Sequence, residues 1–124
     1  MKTVAIDFDG TIAHYDGWKG IGHIGTPIDG VRELLLGLKA AGYRIVIHTC
    51  RATPDVNGDL VGEAVGYIQE WMGHHQIPYD EIWQGVGKPV ACAYIDDRAI
   101  GVPRNGFAET GTLGLLLDIL ESFD

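Results

Sequence analysis

Short, almost continuous apolar runs alternate along this chain with segments in which apolar residues recur every three or four positions. The continuous runs occupy residues 3–8, 44–48, 81–84 and 91–95. Runs of this length are typical of parallel strands that are buried on both faces. The pattern therefore predicts four strands, of which the third is short.

The periodic segments predict three helices. The first is expected to begin with Thr26 as N-cap and Pro27 at its first position, and to end before Gly42. The second covers the region 61–72, and the third spans roughly 112–121. Their apolar sides are formed by Val31, Leu34, Leu35 and Leu38, by Val61, Ala64, Val65, Ile68 and Met72, and by Leu113, Leu116, Leu117 and Leu120.

Strands that alternate with helices predict a parallel sheet joined by right-handed crossovers. The expected fold class is α/β, a three-layer Rossmann-like sheet flanked by helices. A chain of 124 residues has the usual size of one domain, so residues 1–124 are expected to form a single domain. The Gly-rich segment from 9 to 26 has no steady period and predicts a long loop or a small hairpin.

Composition and charge exclude several classes of protein. Hydrophobic residues make up 46% and charged residues 21% of the chain, which argues against disordered, coiled-coil and collagen-like architectures. The formal net charge is −8, from 17 acidic and 9 basic residues. Because nucleic-acid phosphates are normally bound by a basic face, general nucleic-acid binding is not expected.

Cysteine usage and hydropathy bear on the compartment. Cys50 and Cys92 are far apart and lack the spacing of a zinc site, so reduced thiols are expected. No apolar stretch approaches the ~20 residues of a membrane span, and the N-terminal apolar run is too short for a signal peptide. A cytoplasmic location without membrane association is the resulting expectation.

Polar residues that can carry chemistry follow the predicted strands. They are Asp7 and Asp9 after the first, Thr49 after the second, Lys88 just past the third, and Asp96 and Asp97 after the fourth. Open parallel sheets bind ligands beyond the carboxyl ends of their strands, so these side chains are expected to converge. Converging carboxylates repel one another unless a cation lies between them, whereas lysine and threonine suit a bound oxyanion. The sequence therefore predicts a divalent metal beside an anion.

The same residues in the same order resemble the haloacid dehalogenase-like (HAD) superfamily of phosphoryl-transfer enzymes. The family's first motif reads here as Asp7-Phe8-Asp9-Gly10-Thr11; Thr49, Lys88 and the pair Asp96-Asp97 match its second, third and fourth motifs. The resemblance extends over the whole chain. It implies a Mg²⁺-dependent phosphatase that hydrolyses a phosphate monoester through an aspartyl-phosphate intermediate. Family members that dehalogenate lack the second aspartate, so Asp9 favours phosphate esters.

The resemblance also implies a role for each residue. Asp7 would be the nucleophile and Asp9 the general acid and base. Residues two apart in a strand share a side, so both are expected to reach one substrate. Magnesium would be held by Asp7, the backbone carbonyl of Asp9 and Asp96, with Asp97 beside it or as a further ligand. Thr49 and Lys88 would bind the phosphoryl oxygens.

The segments in which family members carry a cap domain are short in this chain. Residues 12–43 hold one loop and one helix, and residues 50–87 hold one more helix and a short strand. The expected protein therefore has no cap, and its open site either accepts a bulky phosphorylated substrate or is closed by another subunit of a homo-oligomer. Residues 15–25 correspond to the family's flap, in which Tyr15, Trp18 and His23 could either close over a substrate or simply pack within the loop.

Other interpretations of these residues stay open. A receiver-type signalling domain also combines an α/β sheet, an acidic Mg²⁺ site, a threonine and a Lys-Pro pair, but its adjacent acids come first and its single phospho-accepting aspartate comes mid-chain. A catalytically idle binding module with an inherited site is the third class. Arg51 and Arg98 adjoin the motif residues and suit either substrate contacts or surface salt bridges.

Overall fold

A four-stranded sheet forms the centre of the fold. The computed structural model describes residues 2–101, 104–105 and 113–123. Its strands are β1 (Thr3–Ile6), β2 (Arg44–Ile47), β3 (Glu81–Ile82) and β4 (Ala93–Ile95). They lie in the order β3-β2-β1-β4, and every neighbouring pair is parallel. The prediction of an α/β fold with four parallel strands is confirmed, although each strand is shorter than its apolar run.

Two of the helices build one side of the core. The helices are α1 (Val31–Ala40), α2 (Pro54–Asn57), α3 (Val61–His74) and α4 (Leu113–Glu121). Leu35 of α1 and Ile68 of α3 pack in one cluster with Ile45 and Ile47, which lie two apart in β2 and so face the same side. The helix predicted around 61–72 is confirmed, and α1 ends before Gly42 as predicted.

The last helix matches its predicted span within the described residues, but its apolar side is exposed. Thr112 lies outside the described residues, and α4 begins at Leu113 with no buried residue. Leu117 and Leu120 are each 51% exposed. The predicted apolar side of this helix is therefore largely in contact with solvent among the described residues. Helical periodicity reports which residues share a side, but it carries no information on what covers that side.

The start of the first helix also differs. Gly30, with φ of 84°, precedes α1, so the helix begins after the predicted Thr26 and Pro27. Pro27 instead forms an antiparallel bridge with Ala13, and the N–H of His14 donates to the carbonyl of Thr26 at 2.8 Å. The predicted N-cap is wrong because a proline suits the edge of a hairpin as well as a first helical turn.

Strand order places a crevice between β1 and β4. The chain runs outward from β1 through β2 to β3, and then returns to add β4 on the opposite side of β1. Where strand connections leave in opposite directions, the carboxyl ends of the two strands are left open to a ligand.

In the described part of the chain no helix is both long and apolar enough to cross a membrane.

Candidate active site

Three carboxylates meet in the crevice between β1 and β4. Asp7 directly follows β1, and Asp96 and Asp97 directly follow β4. One carboxylate oxygen from each lies within 4.8 Å of the other two. The N–H of Asp7 donates to the carbonyl of Ile95 at 2.9 Å, which holds the two strand ends side by side. The structure thus brings together residues that are about ninety positions apart in the sequence.

Asp7 is the carboxylate that its surroundings perturb most clearly. Burial raises the pKa of Asp7 to about 7, and its hydrogen bond with Asp97 and the charges of Asp96 and Asp97 add to the increase. A divalent cation would relieve this repulsion. Oxygens on opposite sides of an octahedral Mg²⁺ are roughly 4.2 Å apart, so three carboxylate oxygens within 4.8 Å of one another need only small side-chain movements to reach one ion.

We expect the metal-free protein to lose stability as the pH rises from about 4 to about 7. In this range the folded state holds the Asp7 proton that the unfolded chain, with a pKa of 3.8, has released. The free energy of unfolding therefore falls with increasing pH across this range. Below the range, the stability that the protonated Asp7 contributes is fully present. Because Asp7 is only partly buried, solvent screening limits the effect to roughly 1–2 kcal/mol.

Urea unfolding of chelator-treated wild type and Asp7→Asn at the two ends of this pH range measures the effect. The asparagine variant should lose less stability than the wild type as the pH rises. Equal losses in the two proteins would contradict the assignment.

The loop after β1 holds Asp97 in place. The hydroxyl of Thr11 donates to the Asp97 carboxylate and accepts from its backbone N–H, each at 3.2 Å. Gly10 has φ of 85°, and a Cβ at this position would collide with the Asp97 carboxylate. Glycine is required here both for the backbone conformation and for the close approach. Gly10 and Thr11 therefore position a member of the acidic cluster.

Asp9 lies outside this acidic cluster and is paired with Arg51. Nε of Arg51 donates to Oδ2 of Asp9 at 2.7 Å, and Nη2 donates to Oδ1 at 3.0 Å. The Arg51 side chain is only 3% exposed, and that of Asp9 is 18% exposed. Of the two alternatives for Arg51, a surface salt bridge does not describe this pair, because it is bidentate and largely buried.

Arg51 also anchors the flap, residues 15–25. Its Nη1 donates to the carbonyls of Gly20 and Ile21 at 3.3 and 3.2 Å, and its Nη2 donates to that of His23 at 2.8 Å. The guanidinium carbon lies 4.9 Å from the centre of the Trp18 ring. Arg51 comes two residues after Thr49, and this proximity to a predicted site residue was the sequence evidence that it faces the site. The glycine-rich sequence of the flap did not indicate that its carbonyls would accept hydrogen bonds from a buried arginine.

Thr49 and Lys88 follow neighbouring strands but have different surroundings. Thr49 is buried, and its hydroxyl accepts from the N–H of Arg51 at 3.3 Å. Lys88 is exposed, and its Nζ lies 4.2 Å from the centre of the Tyr94 ring. Burial lowers the pKa of His48; the Lys88 ammonium adds to the decrease and Asp96 opposes it. Lys88 therefore lies close enough to the strand ends for its charge to act on His48.

A cavity of about 460 Å³ opens over this edge of the sheet. It is lined by Asp7, Asp9, Tyr15, Trp18, Thr49, Cys50, Arg51, Val56, Asn57, Asp97 and Arg98. Of the predicted site residues, the lining contains both carboxylates of the first motif, the threonine and one member of the late pair. Asp96 joins the acidic cluster without lining the cavity, and Lys88 lies outside both. Val56 and Asn57 are lining residues that the sequence did not indicate.

Two solved structures resemble the chain over nearly its whole length. One is described as a conserved protein coded by a locus of Bacteroides thetaiotaomicron, with 25% identity, a TM-score of 0.57, and coverage of 98% of this chain and 91% of that one. The other is the crystal structure of a target protein from Vibrio cholerae, with 29% identity, a TM-score of 0.54, and coverage of 100% of both chains. No model of a known family and no curated protein matches the chain. Both similar structures support the α/β fold.

Proposed function

We propose that this protein is a Mg²⁺-dependent phosphatase of the HAD type that hydrolyses a phosphate monoester through an aspartyl-phosphate on Asp7. The position of Asp7 is the observation that carries the proposal. Its carboxylate lines the cavity and at the same time has oxygens of Asp96 and Asp97 within 4.8 Å. One carboxylate is thus available both to a phosphate ester in the cavity and to a cation in the crevice.

The chemistry assigned to the chain has two steps. An oxygen of Asp7 attacks phosphorus, and Asp9 gives a proton to the departing alkoxide. Asp9 then takes a proton from a water that attacks phosphorus, which releases phosphate and restores Asp7. Magnesium held by Asp7, Asp96 and Asp97, together with the backbone carbonyl of Asp9, would neutralise charge on the phosphoryl group.

The phosphoryl oxygens need donors besides the metal. Thr49 is buried at the cavity wall, and Arg98 lines the cavity. Lys88 does not line the cavity, and its Nζ lies 4.2 Å from the centre of the Tyr94 ring. The proposal therefore gives Thr49 and Arg98 the direct contacts, and Lys88 the role of a positive charge at the strand ends that draws the anion to the site.

The absence of a cap is part of the proposal. The segment between β1 and β2 holds the flap and α1, and the segment between β2 and β3 holds α2 and α3. Both segments are described in full and contain no further domain. Among the described residues, the flap and α2 supply the cavity wall beyond the strand ends, with Tyr15 and Trp18 from the flap and Val56 and Asn57 from α2.

The pairing of Asp9 favours a second candidate, a catalytically idle binding module. Both carboxylate oxygens of Asp9 accept from Arg51. Proton transfer to a leaving group requires one of these bonds to break, whereas a purely structural Asp9 would keep both. In this second candidate the cavity binds a phosphorylated molecule without hydrolysing it.

Steady release of phosphate from a generic phosphate ester, dependent on Mg²⁺, is the expected result for the enzyme. Asp96→Ala should weaken Mg²⁺ binding and reduce the rate, because it removes one carboxylate from the acidic cluster. Isothermal titration with Mg²⁺ and a phosphate-release assay measure the two effects. Asp59→Ala serves as the control, since Asp59 is an exposed acid outside the cluster.

Unchanged Mg²⁺ affinity in Asp96→Ala would remove Asp96 from the metal site. Binding without turnover would favour the idle module, and one stable phosphorylation without release would favour the receiver-type domain.

A further inference from the structure

The wall of the cavity beside the acidic cluster is aromatic and exposed. Tyr15 and Trp18 both line the cavity and are 45% and 51% exposed, and Val56, which also lines it, is 61% exposed. Large apolar side chains that remain in contact with water gain free energy when a ligand covers them. The cavity lining thus combines acidic side chains with exposed apolar ones.

Trp18 and the flap backbone are held in position before any ligand arrives. Arg51 lies against the Trp18 ring and donates to flap carbonyls, so the ring and the backbone that carries it are fixed from inside. At the other end of the flap, Nε1 of Trp71 donates to the carbonyl of Gly25 at 3.0 Å. A Cβ on Gly25 would collide with the carbonyl of His14, so the flap ends pack backbone to backbone. A preorganised wall binds with less loss of conformational entropy.

The size of the cavity selects among phosphate esters. A volume of about 460 Å³ lies in the range of sites for small molecules. A small ester whose phosphoryl group reaches Asp7 would extend its leaving group toward Tyr15 and Trp18. A leaving group made only of hydroxylated carbons would leave these two rings poorly covered, whereas a planar ring can stack on them.

We propose that the leaving group of the substrate carries a planar aromatic ring that stacks on Tyr15 and Trp18, as in a nucleoside monophosphate or an aryl phosphate. This inference rests on the proposed function for the position of the phosphoryl group. The flap and Val56 would select the leaving group, and the residues at the strand ends would carry out the hydrolysis.

The test compares ligands that differ in the ring. Adenosine 5′-monophosphate is paired with ribose 5-phosphate, and phenyl phosphate with glycerol phosphate, in Mg²⁺-containing buffer. Dissociation constants are measured by titration calorimetry on Asp7→Asn, which prevents turnover. At least one ring-bearing ligand should bind roughly 10-fold or more tightly than its partner. A preference confined to the adenosine pair assigns a nucleoside, and one confined to the phenyl pair assigns an aryl group.

Variants of the wall identify the source of the preference. Trp18→Ala and Tyr15→Ala in the same background should each remove most of it, and Trp18→Phe should retain part of it because a ring remains. Tyr67→Ala is the matched control, since Tyr67 is 43% exposed and lines a separate cavity. Thermal unfolding of each variant identifies any that fail to fold, in which case Trp18→Phe and Tyr15→Ala decide.

Equal affinities within both pairs would overturn the inference, as would a preference that survives the loss of either ring. Phosphate release by the wild-type protein is measured separately on the same four ligands. Turnover without a ring preference would leave the proposed function intact and refute the aromatic subsite. A ring preference without turnover would refute hydrolysis and support the subsite.

Discussion

Asp7→Asn should abolish turnover, with a loss of several orders of magnitude in rate, and should leave no phosphate attached to the protein. An amide is a far weaker nucleophile than a carboxylate, and Asp7 is the cavity-lining carboxylate that directly follows β1. The exchange also removes one negative charge from the acidic cluster, so the folded protein should not be destabilised. A loss of activity in a stably folded protein is therefore the expected combination.

Asp9→Asn should behave differently. It keeps the nucleophile but removes the group that protonates the leaving group and later activates water. A substrate with a good leaving group should then still phosphorylate Asp7, whereas hydrolysis of the intermediate should stall. The adduct is expected to accumulate in this variant.

Intact-protein mass spectrometry after an acid quench should detect one added phosphoryl group on Asp9→Asn, and peptide mapping should place it on Asp7. The asparagine oxygen can still accept one hydrogen bond from Arg51, which limits structural damage. An adduct on Asp9, Asp96 or Asp97 would contradict the assignment. A stable adduct on the unmodified protein would favour the receiver-type domain.

Arg51→Met should reduce the free energy of unfolding by about 3–5 kcal/mol. The substitution leaves the Asp9 carboxylate, 18% exposed, without its bidentate partner. It also removes donors from the carbonyls of Gly20, Ile21 and His23, which anchor the flap. Breaking one side of a buried ion pair is costly because the remaining charge stays poorly solvated.

Urea unfolding provides the measurement, and Arg44→Met provides the control. Arg44 pairs with Glu81 at 3.3 Å, but these side chains are 37% and 42% exposed. An exposed pair of this kind contributes up to about 1 kcal/mol. If Arg51→Met were no more destabilising than Arg44→Met, the anchoring role of Arg51 would be wrong.

The sheet and α3 were predictable because they depend on local pattern. Buried parallel strands are continuously apolar, and α3 buries Ala64, Ile68 and Met72 at helical spacing. The order of the strands, which creates the crevice, is not a local property. The sequence did not predict this order; it predicted only that the polar residues after the strands would converge, through the rule that ligands bind at carboxyl ends.

Predictions for the site were limited by where β1 ends. The expectation that Asp7 and Asp9 reach one substrate from the same side assumed that the strand continues to Phe8, but β1 ends at Ile6. Both aspartates line the cavity, yet the turn that follows the strand gives the Asp9 carboxylate to Arg51. Arg51 is 42 residues further along, and nothing in the spacing of the two residues indicates this pairing.

The repulsion within the acidic cluster acts on the ladder between β1 and β4. This ladder is short, because β4 has three residues, and Ala93 and Tyr94 are exposed. The like charges at its end favour local opening of this edge strand, which would be seen as faster amide hydrogen exchange. A divalent cation held by both strands would instead act as a cross-link between residues early and late in the chain. If the site binds a divalent cation as proposed, the protection of β4 against exchange should rise with the occupancy of the site.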